Sequence, residues 1–271
     1  MVVFNNVRKE DLVKLKKEGF LEEETKSIYE EVRLRKEGVV LILYNSGKLL
    51  LQGKSLEREK VARELKKKGF YPSIELTRFR REEGTIIGSD ESLKGDTFGG
   101  LTVAGVKANA KERLKLKELG VADSKKLADK EILVMAGEIR KLVSCEVLSV
   151  FPEDYNQRVG KEGLTSLMNR LHKEVYEYLK PGVHVVDKYP GCAVGEIKEE
   201  KAEDKYVEVA AASVLARAAA LKQLDGLSVK AGFPLPKGSS HVKLALHEAK
   251  ERGLDFSKFV KVHFKNVTEF L

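Results

Sequence analysis

Acidic side chains follow two short apolar runs of this sequence. One run ends in Asp90 and Glu91, and a second run ends in Asp187. A further acid, Glu203, lies just before an Ala-rich segment with a helical pattern, where the helix dipole favours negative charge. Functional groups collect at the carboxyl ends of strands in α/β sheets, so a strand that ends in Asp can present its carboxylate to a cation there.

Carboxylates that converge without Cys or His partners are hard oxygen ligands, which suit Mg²⁺ or Mn²⁺ rather than Zn²⁺. Four of them can hold two ions ~3.5–4 Å apart, the arrangement for in-line attack on a phosphodiester. The spacing leaves a second interpretation open, in which Asp90 and Asp187 are loop caps and Glu203 is a helix-terminal charge. The five histidines show no zinc-binding spacing, and His172 is predicted to pack within a helix.

Short apolar strands alternate with longer helical patterns after residue 84, which is typical of an α/β domain. The strands and helices that would position the acids follow one another along this half of the chain. We predict strands at 85–90, 101–107, 145–151 and 183–187, and helices at 163–179, 206–224 and 243–252.

The residues before this half predict a small α+β unit. Residues 8–36 predict one or two amphipathic helices, because charges alternate with Leu, Val and Ile at helical spacing. Two strands at 39–44 and 48–52 flank the turn signal Asn-Ser-Gly, and a helix follows at 57–68. A linker with three arginines is predicted at 71–84, which places the domains at 1–80 and 81–271.

Basic residues are unevenly distributed along the chain. Lys and Arg number 50 against 42 Asp and Glu, a net charge of +8. Residues 44–81 alone contain eleven basic and four acidic residues. Such a block indicates a polyanionic partner, although a solvated Lys-rich helix face is the alternative that composition also allows.

The composition also bears on the compartment. No run approaches eighteen apolar residues, and the N-terminus has no apolar segment followed by a cleavage site, so neither a membrane span nor secretion is expected. Cys145 and Cys192 are too few for a disulfide framework and form no CxxC pair. We therefore predict a cytoplasmic protein in a reducing environment.

Ten short segments along the chain form a recognisable set of motifs. They are 44–48 (YNSGK), 52–54 (QGK), 88–99 (GSDESLKGDTFG), 121–127 (VADSKKL), 152–156 (PEDYN), 169–172 (NRLH), 201–203 (KAE), 209–213 (VAAAS), 235–238 (LPKG) and 262–266 (VHFKN). Together, and in the expected order, they resemble ribonuclease HIII of the type 2 ribonuclease H family. The N-terminal hairpin resembles the small TATA-box-binding-protein-like domain of that family.

The resemblance implies an α/β ribonuclease H fold, with a mixed sheet flanked by helices, behind an N-terminal α+β substrate-binding domain. It implies endonucleolytic cleavage of the RNA strand of RNA/DNA hybrids, giving 3′-hydroxyl and 5′-phosphate ends, with two Mg²⁺ or Mn²⁺ ions per site. The four metal-binding and catalytic acids of the family match Asp90, Glu91, Asp187 and Glu203. The fourth is Glu, as in ribonuclease HIII, whereas ribonuclease HII usually has Asp. We expect a monomer.

The loop after the first two acids departs from the family pattern. Ribonuclease HIII normally has Asp-Glu-Val-Gly-Thr-Gly-Asp and ribonuclease HII has Asp-Glu-Ala-Gly-Arg-Gly, whereas this chain has Asp-Glu-Ser-Leu-Lys-Gly-Asp. Leu93 thus replaces a Gly, and Lys94 stands where ribonuclease HII has Arg. In the family this loop contacts ribose 2′-hydroxyls, which implies substrate contacts for Ser92, Leu93, Lys94 and Gly95.

Two further segments are predicted to contact the substrate. Ser124, Lys125 and Lys126 offer hydroxyl and ammonium donors for backbone phosphates, although Ser124 could simply cap a helix. Tyr44, Lys48 and Lys54 on the N-terminal hairpin could stack on bases and bind phosphate. Two other functions are considered: ribonuclease HII-like cleavage at single ribonucleotides in DNA, which Lys94 favours, and a non-catalytic nucleic-acid-binding protein, which the basic N-terminal unit alone would support.

Overall fold

Two separate five-stranded sheets organise the chain in a computed structural model, which describes residues 2–4, 7–16, 18–70, 84–121 and 127–271. Each sheet belongs to its own compact unit, residues 1–77 and residues 78–271. Most of the linker that we predict at 71–84 lies outside the described residues. No helix in the described ranges is long and apolar enough to cross a membrane.

The N-terminal sheet is antiparallel, with strand order β1-β5-β4-β3-β2. Alternate residues of its strands, among them Leu34, Leu41 and Leu51, are buried in one cluster with apolar residues of the two helices. The elements are β1 (Val2–Phe4), α1 (Lys9–Lys16), β2 (Leu21–Glu23), β3 (Glu30–Lys36), β4 (Val39–Tyr44), β5 (Leu49–Gln52) and α2 (Ser55–Lys67).

The prediction of helix over 8–36 is wrong from residue 18 onward. Residues 21–23 and 30–36 are strands, and β3 pairs with β4 along nearly its whole length. Val32 and Leu34 are buried in the core at a spacing of two, while Arg33 between them pairs with Glu23 and Glu30. The frequent charges gave this segment a helical appearance, but the period of its apolar residues is that of a strand.

The second sheet is mixed, with strand order β10-β9-β6-β7-β8. Strand β6 runs antiparallel to β7 and parallel to β9, β7 runs antiparallel to β8, and β9 runs parallel to β10. The elements are β6 (Ile86–Ser92), β7 (Leu101–Ala108), α3 (Ala110–Leu119), α4 (Asp129–Leu142), β8 (Ser144–Val150), α5 (Pro152–Glu162), α6 (Leu164–Leu179), β9 (Val183–Asp187), β10 (Ile197–Glu199), α7 (Val207–Ala231), α8 (Lys243–Glu251) and α9 (Lys265–Thr268).

Helices cover both faces of this sheet. In β7, Ala104 and Val106 belong to the apolar cluster that includes α3, α4 and α7, whereas Leu101 and Val103 belong to the cluster that includes α5 and α6. Burial on both faces explains why its strands are continuous apolar runs. The predicted mixed sheet flanked by helices is confirmed, although α3, α4 and α5 are not among the predicted helices.

The Ala-rich helix α7 packs unusually close to the central strand. A Cβ atom added at Gly88 of β6 would lie 2.3 Å from the backbone nitrogen of Val209, so only glycine fits there. Small side chains on the helix, including the buried Ala211 and Ala212, allow this approach. The contact brings the first turns of α7 beside the end of β6, where the first two acids lie.

Candidate active site

The parallel pairing of β6 and β9 brings two of the acids to the same end of the sheet. Ser89 pairs with Val186, and the next residue on each strand is Asp90 or Asp187. Because consecutive side chains of a strand point to opposite faces, Asp90 and Glu91 diverge. Asp90 meets Ser213 of α7, whereas Glu91 meets His172 of α6.

Asp90 is held from two sides. Its Oδ1 accepts the backbone N–H of Glu91 at 2.8 Å, and its carboxyl also hydrogen-bonds Ser213. Burial, followed by the nearby Glu91 and Asp187 carboxylates, raises the pKa of Asp90 to about 8. The fold therefore places the Asp90 carboxyl beside two other carboxylates, so a negative charge on Asp90 is unfavourable.

Glu91 is the best compensated of the acids. Burial alone would raise its pKa, but the adjacent His172 imidazole, together with the ammonium of Lys94, outweighs burial and holds the pKa below the usual value. Lys94 Nζ donates to Oε1 at 2.6 Å, and His172 Nε2 lies 3.4 Å from Oε2. Each oxygen of this carboxylate thus faces a different partner.

Asp187 and Glu203 lie together at the neighbouring strand. Oδ1 of Asp187 accepts the backbone N–H of Ala202 at 2.9 Å, which anchors the short 3-10 helix Ala202–Asp204 that carries Glu203. Burial raises the pKa of Asp187 to about 6, and the adjacent Glu203 and Glu91 carboxylates add to the rise. The four predicted acids are therefore electrostatically linked through Asp187, whose carboxylate interacts with the charges of Glu203, Glu91 and Asp90.

This donor set fits a hard divalent cation. It offers carboxylate oxygens and no thiolate, and the raised pKa values of Asp90 and Asp187 mark a surplus of buried negative charge that a cation would offset. Among the described residues, no three Asp, Glu, His or Cys side chains already stand together as a metal cluster. Among protein groups, Lys94 contacts the carboxylates most directly, at Glu91.

The loop after Glu91, whose sequence departs from the family pattern, has a left-handed backbone conformation at Leu93. Leu93 adopts φ 67°, a left-handed conformation that glycine favours, and its side chain is buried with Phe98 and Leu224. The buried Lys261 donates to the backbone oxygens of Asp96 and Gly99, at 2.6 and 3.0 Å. Leu93 therefore anchors the loop by its side chain and leaves Lys94 directed at Glu91.

The other predicted substrate-binding residues are distributed over both units. Ser92 ends β6 opposite Thr102, and Gly95 is exposed. Ser124, Lys125 and Lys126 lie outside the described residues. Tyr44 ends β4, and Lys48 and Lys54 are exposed on either side of β5, within the N-terminal unit.

Polar groups that were not predicted from the sequence surround the acids. His172, expected only to pack, is fully buried but approaches Glu91, and Ser89 and His184 lie next to it. Ser213 on α7 was seen only as part of a family motif. No local signal could have identified these residues, because their proximity depends on how α6, β9 and α7 pack.

Replacing Asp90 by Asn should stabilise the metal-free protein at high pH. With its raised pKa, Asp90 retains in the folded state a proton that the unfolded chain loses above about pH 4, so the free energy of unfolding falls as the pH rises from about 4 to about 8. Asp90→Asn removes this loss and should gain ~2 kcal/mol, on the order of 5 °C in melting temperature, at pH 8.

Thermal melts with a chelator at pH 5 and pH 8 measure this effect. Asp225→Asn, which neutralises an exposed Asp on α7, is the matched control and should melt like the parent protein at both pH values. Equal melting temperatures of Asp90→Asn and the parent at pH 8 would contradict the assigned charge burial.

Comparison with known proteins identifies the family. The family model described as Ribonuclease HII matches residues 87–267. Ribonuclease HIII of Streptococcus agalactiae serotype III (strain NEM316) is 33% identical, with 84% of each chain covered. Ribonuclease HIII of Chlamydia caviae is also 33% identical, with 94% of this chain and 91% of the relative covered.

Solved structures agree over both units. The crystal structure of Bst-RNase HIII in complex with Mn²⁺ is 28% identical and aligns with a TM-score of 0.64, covering 99% of this chain and 97% of that one. Aquifex aeolicus RNase H3 is 29% identical with a TM-score of 0.59, covering 97% and 100%. The family model, the relatives and the folds thus agree that this chain belongs to the ribonuclease HII family, among its ribonuclease HIII members, and is a ribonuclease H hydrolase.

Proposed function

We propose that this protein is an endonuclease that hydrolyses the RNA strand of RNA/DNA hybrids, giving 3′-hydroxyl and 5′-phosphate ends. The observation that carries the proposal is the parallel register of β6 and β9, which sets Asp90 beside Asp187 with Glu91 and Glu203 near them. A plain nucleic-acid-binding protein gains nothing from four carboxylates, because they repel phosphate.

Asp90, Glu91, Asp187 and Glu203 would hold two Mg²⁺ or Mn²⁺ ions, which supply activation of water and stabilisation of the leaving 3′-oxygen when bound. Support comes from the carboxylate donor set and from the solved relative that is in complex with Mn²⁺. Asp90, between Glu91 and Asp187, would serve as the shared ligand. No side-chain nucleophile is needed.

Residues around the acids would bind the hybrid. The loop of Ser92, Leu93, Lys94 and Gly95 follows the acids directly, and its backbone would contact ribose at the cleavage site. The Lys94 ammonium, which binds Glu91 in this structure, would contact phosphate after leaving that carboxylate. Ser124, Lys125 and Lys126 would contact backbone phosphates. In the N-terminal unit, Tyr44, Lys48 and Lys54 would extend the contact.

The direct test is an assay of the purified protein on a uniform RNA/DNA hybrid with Mg²⁺, Mn²⁺ or chelator. Metal-dependent cleavage with 3′-hydroxyl and 5′-phosphate ends is expected. Hybrid binding without cleavage in either metal would support the non-catalytic alternative. The same samples, passed over a sizing column with mass detection, test our proposal that the protein acts as a monomer, and cell fractionation tests a cytoplasmic location.

Removing residues 1–80 should weaken hybrid binding without ending metal-dependent cleavage. The deletion takes away most of the basic block but none of the four acids, and the second unit has its own sheet and apolar clusters. Fewer phosphate contacts release fewer counterions, so the slope of log affinity against log salt should also become shallower. Equal affinity and equal salt slope for the full and shortened chains would contradict the role of the N-terminal unit.

A further inference from the structure

Three buried polar side chains from different elements meet beside Glu91. Ser89 of β6 and His172 of α6 are fully buried, and His184 of β9 is 2% exposed. Ser89 Oγ lies 2.8 Å from His172 Nδ1 and 2.8 Å from His184 Nε2. We call these three residues the Ser–His chain. Buried polar groups are costly unless they are satisfied, so this arrangement needs an explanation beyond packing.

The Ser–His chain of side chains ends at the carboxylate of Glu91. His172 Nε2 and Glu91 Oε2 are both buried, and neither has a hydrogen-bond partner in the described parts of the chain. They lie 3.4 Å apart, so each faces the other at slightly more than hydrogen-bond distance. A carboxylate can only accept, so a bare Nε2 would set two lone pairs against each other, and this nitrogen must carry the proton.

The hydroxyl of Ser89 makes this proton assignment possible. A serine hydroxyl donates one hydrogen bond and accepts others, so it can satisfy the Nδ1 atom of His172 whether that atom is bare or protonated. Burial lowers the pKa of His184 to about 4, so at neutral pH His184 is uncharged and can serve as either donor or acceptor to Ser89. In both arrangements the Nε2 proton of His172 stays directed at Glu91.

Aromatic neighbours fix the two imidazole rings. His172 packs on Tyr189 with ring centroids 5.4 Å apart, and His184 stacks on Tyr176 at 4.9 Å. Tyr189 is itself held by a hydrogen bond to Asn169 at 3.0 Å. The donor that faces Glu91 is therefore part of a rigid assembly rather than a mobile side chain.

The two oxygens of Glu91 consequently face different surroundings. Oε2 points into the protein at His172, whereas Oε1 binds the ammonium of the partly exposed Lys94. We propose that Ser89 and His172 are positioning residues for Glu91: they hold Oε2 in place, so that Oε1, which Lys94 binds in this structure, is oriented for a divalent cation. This inference rests on the proposed function, because it assumes that Glu91 is a metal ligand.

The test is a calorimetric titration of the full chain with Mn²⁺ alone. His172→Phe keeps a ring but removes the donor, and it should weaken Mn²⁺ binding ~10-fold, the scale on which partners of metal ligands act. His172→Gln restores an N–H group at a similar reach and should recover much of the loss. Ser89→Ala should weaken binding ~3-fold or more, since it leaves the His172 ring unsatisfied at Nδ1.

A double-mutant cycle separates positioning from general damage. In a Glu91→Gln background, adding His172→Phe should change Mn²⁺ affinity less than ~2-fold, because the residue acts only through Glu91. Gln223→Leu is the control: this buried side chain binds the backbone of Gly100 and Val150 and touches none of the four acids. It should lower the melting temperature without changing Mn²⁺ affinity.

A measurement on the unmutated, metal-free protein covers the case in which a variant fails to fold. Two-bond ¹⁵N–¹H correlation of its imidazoles should show a proton on Nε2 of His172. A bare Nε2, or an equal loss of Mn²⁺ affinity on adding His172→Phe with and without Glu91→Gln, would overturn the inference. If the parent protein binds no Mn²⁺ at all, the proposed function fails instead, so the two failures are distinguishable.

Discussion

Replacing Asp187 by Asn is expected to lower the rate of hybrid cleavage at least ~10³-fold, which corresponds to roughly 4 kcal/mol of lost transition-state stabilisation. The substitution keeps the shape of the side chain and the acceptor for the Ala202 N–H at 2.9 Å. It removes a charge that lies in electrostatic contact with Glu203, Glu91 and Asp90. Little loss of folding or of affinity for hybrid is expected, because the side chain keeps its shape and the lost charge repels phosphate.

A matched control lies on the next strand. Glu199 pairs with Asp187 in the register of β10 and β9, and its carboxylate binds Lys205 and the hydroxyl of Tyr206. Glu199→Gln should keep cleavage within ~3-fold of the parent, as expected for a surface-type ion pair. Single-turnover cleavage in saturating Mg²⁺ measures both variants, and near-normal turnover of Asp187→Asn would end the assignment of Asp187 as a catalytic acid.

The acids could be predicted from the sequence because the pattern that marks them lies within a few consecutive residues. An apolar run that ends in Asp90 or Asp187 predicts both a buried strand and a carboxylate at its end, and the parallel register of β6 and β9 then brings the two together. The resemblance to ribonuclease HIII predicts the fold, and that prediction is confirmed. Their roles as metal ligands stay a prediction, as does the boundary at residue 80.

What the sequence did not reveal depends on packing between distant elements. Ser89 and His184 are separated by 95 positions, so only the folded sheet and α6 show that they form one chain with His172. The sequence of strand β3 predicts helix because its apolar residues are few and its charges are many. Leu93 illustrates a third limit: replacement of a Gly was evident, but its left-handed backbone and buried side chain were not.

Continuous hybrid should be cleaved at least ~10²-fold faster than a duplex with a single embedded ribonucleotide, a difference of roughly 3 kcal/mol. A ribonuclease HIII-like loop reads 2′-hydroxyls along several ribonucleotides, and the N-terminal unit, Asp96 and Glu203 resemble that type. Lys94 acts in the other direction, because a basic group at the position of the ribonuclease HII Arg can bind a phosphate beside a lone ribonucleotide. Comparable rates on the two substrates would overturn the assignment.

Lys94 has a second task in this structure, which limits how well it can imitate Arg. Its ammonium binds Glu91 at 2.6 Å and lies 5.6 Å from the centre of the Tyr189 ring, so it must leave Glu91 before it can bind a phosphate. Lys is also a flexible point charge, whereas Arg offers a planar fork that binds phosphate with two hydrogen bonds. Any cleavage at a single ribonucleotide should therefore be weak in the parent protein.

Substitutions at Lys94 test this competition on both substrates. Lys94→Ala should reduce single-ribonucleotide cleavage more than hybrid cleavage. Lys94→Arg should increase the rate of single-ribonucleotide cleavage relative to hybrid cleavage, toward the ratio of a ribonuclease HII. Lys141→Ala is the control, because Lys141 pairs with Glu138 at the same three-residue spacing on α4, at 2.8 Å, and contacts none of the acids. If Lys94→Ala lowers both rates by the same factor, Lys94 serves the reaction in general through Glu91 and does not determine the choice of substrate.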